Sequence, residues 1–262
     1  MRHPQPPPGF VRFAVGRSTV TCADHVADSV RQALRGEGGS LYSYAERHPQ
    51  ARALAGRGIV YAVPLPGETE QVVIRHNHHG GLLAAVRGDL FLPPTRAPRE
   101  LLTSERLRHH GVPTPTMLGY VTYPAAAGLR RVDVMSREVV GALDLSVSLL
   151  SADALERVRA LAATANLITA LSDLGARHHD LNAKNVLVHD ADGRSPEALV
   201  LDVDRVTFAD GVDQAREQNL ARLLRSARKW QSYQGARVTD AELETFTVLV
   251  RARRPVPFST SS

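Results

Sequence analysis

A short polar run, His178–Asn185, holds the residues of this chain whose types and spacing best suit chemistry. It reads His-His-Asp-Leu-Asn-Ala-Lys-Asn, and a further carboxylate, Asp202, follows within Leu-Asp-Val-Asp. An aspartate can take the proton of an acceptor hydroxyl, and carboxylate and carboxamide oxygens are ligands that Mg²⁺ accepts. The spacing therefore predicts phosphoryl transfer from a nucleotide, with Asp180 as general base and Asn185 and Asp202 as metal ligands.

The same residues have simpler alternative roles. Asp-Leu-Asn-Ala is a suitable turn sequence, and Asp202 could cap a helix or a turn. Asp204 either assists the metal or caps the turn. His178 is expected to brace the loop rather than to react. Lys184 is a candidate nucleotide-binding residue, but its place beside Asn185 leaves a contact with the γ-phosphate open.

The elements around the run favour the chemical interpretation over a chance match. An amphipathic helix is predicted over Asp153–Leu174, with a capping box from Asp153 and Glu156 and a C-terminal stop at Gly175. Two short apolar segments, Val186–Val188 and Leu199–Leu201, flank a turn that contains Asp-Gly, so a hairpin is expected to bring positions 185 and 202 together. Two further helices are predicted, over Asp213–Trp230 and Asp240–Val250.

The first half of the chain is strand-rich, and the second half is helical. Strands are predicted at Ile59–Leu65, Gln71–His76, Met117–Tyr123 and Arg131–Arg137, with a helix at Arg99–His109. This order predicts an α+β fold of the protein-kinase-like, bilobal type. The lobes would span about 1–136 and 140–262, with ATP between them and the adenine near Met135–Val139.

The first half should also supply a phosphate cradle and a cation. Gly56 and Gly58 precede a predicted strand, where glycine would let backbone N–H groups approach phosphate. The strand Val-Val-Ile-Arg places Arg75 where kinases of this fold carry lysine. Glu100 is the expected partner of Arg75, and Glu105 is the alternative on the same predicted helix.

Composition limits the class of protein. The chain has 262 residues, a net charge of +5 and a pI of about 9.8. The single cysteine, Cys22, excludes an intramolecular disulfide and a cysteine-rich zinc site. We expect neither a secretion signal nor a membrane span, and therefore a cytoplasmic protein. The positive charge indicates either an anionic partner, such as a nucleotide, nucleic acid or acidic lipid, or a biased composition.

Several segments together resemble the 3-deoxy-D-manno-octulosonic acid (Kdo) kinases of the lipopolysaccharide kinase group. They are Val73–Leu82 with its Arg-His…Gly-Gly element, Arg99-Glu100, Gly111–Pro115, His178–Asn185, Leu201–Arg205 and Asn219–Ser226. The resemblance implies a protein-kinase-like fold and ATP- and magnesium-dependent phosphorylation of O4 of a Kdo residue on a lipid A precursor. It also implies an anionic glycolipid as partner, peripheral contact with the cytoplasmic face of the inner membrane, and no nucleic acid.

The chain departs from that family in two places. Asn77, His78 and His79 stand where the family has an aromatic and two basic residues, so a different acceptor is an alternative: a core heptose, another small molecule or a protein. The histidine run, which includes His76, is compatible with a metal site or with a ligand-facing loop. Arg75 in place of lysine leaves a nucleotide-binding pseudokinase as a further alternative.

Overall fold

The computed structural model describes residues 5–36, 39–54, 59–78, 88–191, 193 and 195–252. The chain divides into two compact units. The amino-terminal unit comprises Met1–Leu102 and Thr116–Glu138, and the carboxyl-terminal unit comprises Thr103–Pro115 and Val139–Ser262. The carboxyl-terminal unit therefore includes residues 103–115, which the predicted limits assign to the first lobe.

An antiparallel sheet dominates the amino-terminal unit. Its strands are β1 (Phe10–Val15), β2 (Ser18–Ala23), β3 (Arg52–Leu54), β4 (Val60–Pro64), β5 (Gln71–His76), β6 (Met117–Pro124) and β7 (Arg130–Arg137). Within the described residues the order is β1-β2-β6-β7-β5-β4-β3. The four predicted strands are confirmed as β4 to β7.

Helices cover part of this sheet because alternate strand residues are apolar. Helices α1 (Ala27–Arg35) and α2 (Leu41–Arg47) contribute Val30, Leu34 and Leu41 to a core that also holds Ile74 and Met135. Helix α3 (Ala97–His109) begins in this unit and packs Ala97 and Leu101 into a smaller cluster. These contacts fix β5 and the start of α3, which carry Arg75 and Glu100.

The carboxyl-terminal unit is mainly helical. Its helices are α4 (Leu145–Leu150), α5 (Ala154–Asp173), α6 (Val212–Tyr233) and α7 (Asp240–Ala252). The strands are β8 (Leu143–Asp144), β9 (Ala176–His178), β10 (Val186–His189), β11 (Glu197–Val200) and β12 (Val206–Phe208). Strand β10 pairs with β11 and β8, and β9 pairs with β12. The strand-rich and helical units confirm the predicted α+β fold class.

The ends of the long helix α5 agree only in part with the sequence pattern. Asp153 caps it by accepting a hydrogen bond from Leu155 N–H at 2.8 Å. Glu156 instead accepts from the Ser151 hydroxyl, so the predicted reciprocal capping box is wrong. Gly175 follows the helix with φ of +65°, and a Cβ atom there would lie 2.2 Å from the Ala209 carbonyl oxygen. Only glycine fits that close approach.

No helix in the described part of the chain is both long enough and apolar enough to cross a membrane.

Candidate active site

The polar run forms the loop between β9 and β10. In the β10–β11 hairpin Val186 pairs with Val200, and Leu201 N–H donates to Asn185 C=O at 2.9 Å. Asn185 and Asp202 therefore lie at the adjoining open ends of one hairpin. This confirms that the hairpin brings positions 185 and 202 together, although they are far apart in sequence.

His178 joins the two sides of this arrangement. Its Nδ1 accepts from Asp180 N–H at 3.1 Å, and its Nε2 lies 2.8 Å from Leu201 C=O. Both contacts are satisfied when Nδ1 is bare and Nε2 carries the proton, which is a neutral imidazole. Burial lowers the pKa of His178 and outweighs the opposing effects of the Leu201 carbonyl and nearby carboxylates. The ring thus braces the loop, as the sequence predicted, and these contacts show in addition that it does so as a neutral imidazole.

Three hydrogen bonds fix the backbone of Asp180. Besides donating to His178, its carbonyl accepts from Asn182 Nδ2 and Asn185 Nδ2, each at 2.8 Å. Asn182 Oδ1 in turn accepts from Lys184 N–H at 3.0 Å and starts a 3-10 turn. The carboxylate that is predicted to be the base therefore projects from a fixed backbone and is half-buried.

Asp202 has a left-handed backbone, with φ of 53° and ψ of 44°. A non-glycine residue in this region costs about 1–2 kcal/mol, and aspartate is among the residues that tolerate it best. Strained residues of this kind concentrate at functional sites. The hydrogen bonds of its neighbours, Leu201 N–H to Asn185 and Arg205 N–H to Asp202 C=O, hold the conformation in place.

The donor set of this loop fits a magnesium ion. Because the Asn185 side-chain nitrogen donates to Asp180 C=O, the side-chain oxygen of Asn185 is the atom that could bind a cation. Mg²⁺ commonly binds one or two protein carboxylates and completes its shell with water and substrate phosphate oxygens. Among the described residues no group of three or more His, Cys, Asp or Glu side chains could hold a metal. Two protein ligands, the Asp202 carboxylate and the Asn185 carboxamide, would therefore suffice if nucleotide phosphate oxygens and water supplied the remaining ligands.

Two residues of α6 hold the loop from behind; the sequence had pointed to them only as the ends of a segment that resembles the Kdo kinases, with no role assigned. Asn219, fully buried, accepts from His178 N–H at 3.0 Å and donates to Ala176 C=O at 2.9 Å. The Ser226 hydroxyl accepts from Ala183 N–H at 3.0 Å. The sequence did contain a signal for Asn219: it is a carboxamide on the apolar face of a predicted helix. A polar side chain buried there requires hydrogen-bond partners.

Lys184 lies on the outer side of the loop. Its side chain is exposed, and Nζ lies 5.6 Å from the centroid of the Trp230 ring, within range of a cation–π contact. The structure therefore shows an aromatic neighbour for Lys184, and its predicted contact with nucleotide stays a prediction.

In the amino-terminal unit the predicted partner of Arg75 is confirmed. Arg75 on β5 donates to Glu100 Oε1 on α3 at 2.6 Å, and the Glu100 side chain is only 11 % exposed. The pair sets the direction of the guanidinium, whose role in phosphate binding stays a prediction. Gly56 and Gly58 lie outside the described residues.

His76, the next residue on β5, is enclosed by carboxylates. Its Nδ1 lies 2.5 Å from Asp133 and its Nε2 lies 3.1 Å from Asp89. Burial lowers the pKa of His76, but hydrogen bonds and charge from both carboxylates outweigh it and raise the pKa. Because both ring nitrogens have carboxylate partners, His76 is a cationic tie and does not have the bare nitrogen that a metal ligand requires. His79 lies outside the described residues.

A strand-rich unit, a helical unit and this loop have the features that the sequence predicts for a kinase of the protein-kinase-like class: an aspartate followed by an asparagine, with a second aspartate at the adjoining strand end. The chain belongs to the lipopolysaccharide kinase (Kdo/WaaP) family, whose model matches residues 50–247.

Individual relatives agree with this membership. A 3-deoxy-D-manno-octulosonic acid kinase of Actinobacillus succinogenes is 33% identical over 198 residues, which are 71% of this chain and 78% of that protein. The enzyme of the same name from Stenotrophomonas maltophilia is 31% identical over 206 residues, which are 76% and 78% of the two chains. A solved structure described as WaaP in complex with acyl carrier protein covers 83% of this chain and 85% of its own, at 17% identity and a TM-score of 0.49.

Proposed function

We propose that this kinase transfers the γ-phosphate of ATP to the 4-hydroxyl of a Kdo residue on a lipid A precursor. The observation that carries the proposal is the loop in which Asp180, Asn185 and Asp202 occupy positions fixed by His178 and the hairpin. Family membership supports a Kdo acceptor. The reaction would take place at the cytoplasmic face of the inner membrane, with the protein bound peripherally.

Each of the named side chains has a defined part in the transfer. The Asp180 carboxylate orients the acceptor hydroxyl and accepts its proton as the oxygen attacks the γ-phosphorus and ADP leaves. Asn185 and Asp202 would hold Mg²⁺, which would supply positive charge to the phosphate oxygens. Arg75, held by Glu100, offers a cation to the phosphates where lysine serves in related kinases. Arginine keeps the charge but presents a planar fork instead of a point charge.

Mass spectrometry of Kdo–lipid A incubated with protein, ATP and magnesium tests the proposal. We expect the acceptor to gain one phosphate with the wild type and none with Asp180→Asn, which retains the shape of the side chain. Asp190→Asn, at an exposed position outside the loop, is the matched control and should react normally. An acceptor with hydrogen in place of the 4-hydroxyl should not react. Phosphate gain by that acceptor would refute the position, and full turnover by Asp180→Asn would refute the base.

A nucleotide-binding pseudokinase is the second candidate, because Arg75 stands at the lysine position. Calorimetry with ATP and magnesium separates the two. Magnesium-dependent binding that weakens in Asp202→Asn, together with no phosphate transfer to Kdo–lipid A or to core heptose, would favour the pseudokinase.

A further inference from the structure

The carboxyl-terminal half of α6 carries an unusual set of side chains. Arg222, Arg225, Lys229 and Tyr233 follow one another at intervals of three or four residues and therefore share one face of the helix; we call this set the basic strip. Arg225 and Lys229 are exposed, and Tyr233 is 79% exposed. No aspartate or glutamate occurs between residues 219 and 239, so the strip has no acidic neighbour on its own segment.

The basic strip is next to the catalytic loop. Ser226, on the adjoining edge of the same helix, accepts the hydrogen bond from Ala183 in the loop. Trp230, one turn later, lies under the Lys184 ammonium. The strip therefore borders the loop that carries Asp180, and Lys184 extends its positive charge onto the loop itself.

Several arginines elsewhere in this unit pair with carboxylates. Arg251 pairs with Glu217 at 2.7 Å, and Arg157 pairs with Glu242 at 2.8 Å. Within the described part of the chain, no ion pair links Arg222, Arg225 or Lys229 to a carboxylate. Cations that are unpaired and clustered produce a positive field that reaches out to about the Debye length, roughly 8–10 Å at physiological salt.

We propose that the basic strip is the face by which this protein docks on an anionic phospholipid bilayer. Unpaired arginine and lysine attract acidic headgroups, while tyrosine and tryptophan favour the boundary between water and the acyl region. This mix of charge and aromatic rings fits a bilayer better than a nucleic acid. A bilayer offers both anionic headgroups and an apolar interior, whereas the backbone of a nucleic acid calls mainly for cations. The inference deepens the proposed function and rests on it only in one respect: a lipid-borne acceptor would meet Asp180 directly beside the docked face.

Vesicle binding tests the docking face without ATP, magnesium or acceptor, so its result is independent of catalysis. The probes are vesicles of phosphatidylcholine alone and vesicles containing about 30% phosphatidylglycerol, an anionic lipid. The test variant is Arg222→Gln/Arg225→Gln/Lys229→Gln. The matched control, Arg17→Gln/Arg35→Gln/Arg47→Gln, removes equal charge from exposed positions in the other unit. Since a basic residue near an anionic surface contributes about 1 kcal/mol, the test variant should bind the anionic vesicles on the order of 100-fold more weakly.

The single tryptophan, Trp230, gives a second readout of the same face. Brominated phosphatidylglycerol should quench its emission when the protein binds, and the test variant should not be quenched at the same lipid concentration. Equal binding to both vesicle types, an equal loss in the control variant, or binding without quenching would each overturn the proposal. Binding to duplex DNA but not to anionic vesicles would overturn it in favour of a nucleic acid. Vesicle binding with no phosphate transfer would sink the proposed function and leave the docking face standing.

Discussion

Replacing His178 by phenylalanine tests whether a neutral imidazole organises the catalytic loop. Phenylalanine keeps a planar ring but cannot contact Asp180 N–H or Leu201 C=O, which lie 3.1 and 2.8 Å from the ring nitrogens. Leaving a buried polar group unpaired costs about 1–3 kcal/mol, so two such groups cost about 2–6 kcal/mol. The more apolar ring offsets roughly 1 kcal/mol of this. We expect a net destabilisation of about 1–5 kcal/mol.

Urea unfolding followed by Trp230 fluorescence suits this measurement, because the only tryptophan lies in the same unit as His178. At the middle of that range, about 3 kcal/mol, and with a urea slope of about 2 kcal/mol per molar, the midpoint should fall by roughly 1.5 M. His179→Phe is the matched control: the residue is adjacent and exposed, and its ring contacts only the Thr207 hydroxyl among the contacts that the structure gives it. It should shift the midpoint by less than about 0.5 M.

Turnover should separate the same two variants. If His178 positions Asp180, then His178→Phe should lower kcat by about 100-fold under conditions where the protein is folded, with a smaller change in KM for ATP. His179→Phe should keep kcat within about threefold. The reasoning is refuted if His178→Phe unfolds at the wild-type urea concentration, or if it is destabilised yet keeps full kcat when folded.

Three further outcomes are expected. Glu100→Gln should release Arg75 and raise KM for ATP about tenfold, whereas Glu105→Gln should leave it unchanged; equal effects would contradict the pairing. Two carboxylates raise the pKa of His76 despite burial. The contribution of His76 to the free energy of unfolding should therefore be full below the unfolded-state pKa of about 6.5, and it should be lost as the pH rises through the higher pKa of the folded protein. Unfolding free energies of wild type and His76→Gln that stay parallel from pH 5 to about 9 would oppose this. Burial raises the pKa of Cys22 to about 12, so iodoacetamide at pH about 8 should label it only in urea; native labelling would show that the thiol is accessible.

The sequence predicted those parts of the structure that depend on local pattern. Apolar alternation located β4 to β7, and the hairpin of β10 and β11 followed from two apolar segments around an Asp-Gly turn. The Arg75–Glu100 pair was also predicted, because the strand offered an arginine and the helix offered two glutamates, of which Glu100 was the expected partner. The predicted helix over Asp240–Val250 is α7, and its start depends on neighbouring residues, because Thr239 and Glu242 cap it reciprocally.

Other features depend on distant residues and left little local signal. Strands β1 and β2 were not predicted. They form a hairpin with each other, and β2 also pairs with the remote strand β6, from Thr19 opposite Thr122 to Cys22 opposite Gly119. Glu156 completes no capping box because the Ser151 hydroxyl competes for its carboxylate. Asn219 reaches β9 across 41 residues, and no spacing rule relates those positions.

The two units hold their functional residues with different kinds of interaction. In the amino-terminal unit the ties are charged: Arg75 to Glu100, and His76 to Asp133 and Asp89. In the carboxyl-terminal unit His178, Asn182, Asn185 and Asn219 fix the loop backbone through side chains that carry no charge. Neutral braces add no charge beside Asp180 and Asp202, the carboxylates that we propose accept a proton and hold a metal, so they position these groups without opposing either proposed role.

Because His178 holds the loop as a neutral imidazole, the loop is sensitive to acid. Burial lowers the pKa of His178, so its contribution is full above about 6.5 and is lost as the pH falls toward the lower folded value. A protonated Nδ1 can no longer accept from Asp180 N–H, and that loss disturbs the backbone of the base. We therefore expect activity to decline in mild acid as His178 takes up a proton, and His178→Phe, which does not titrate at this position, should lack that part of the pH dependence.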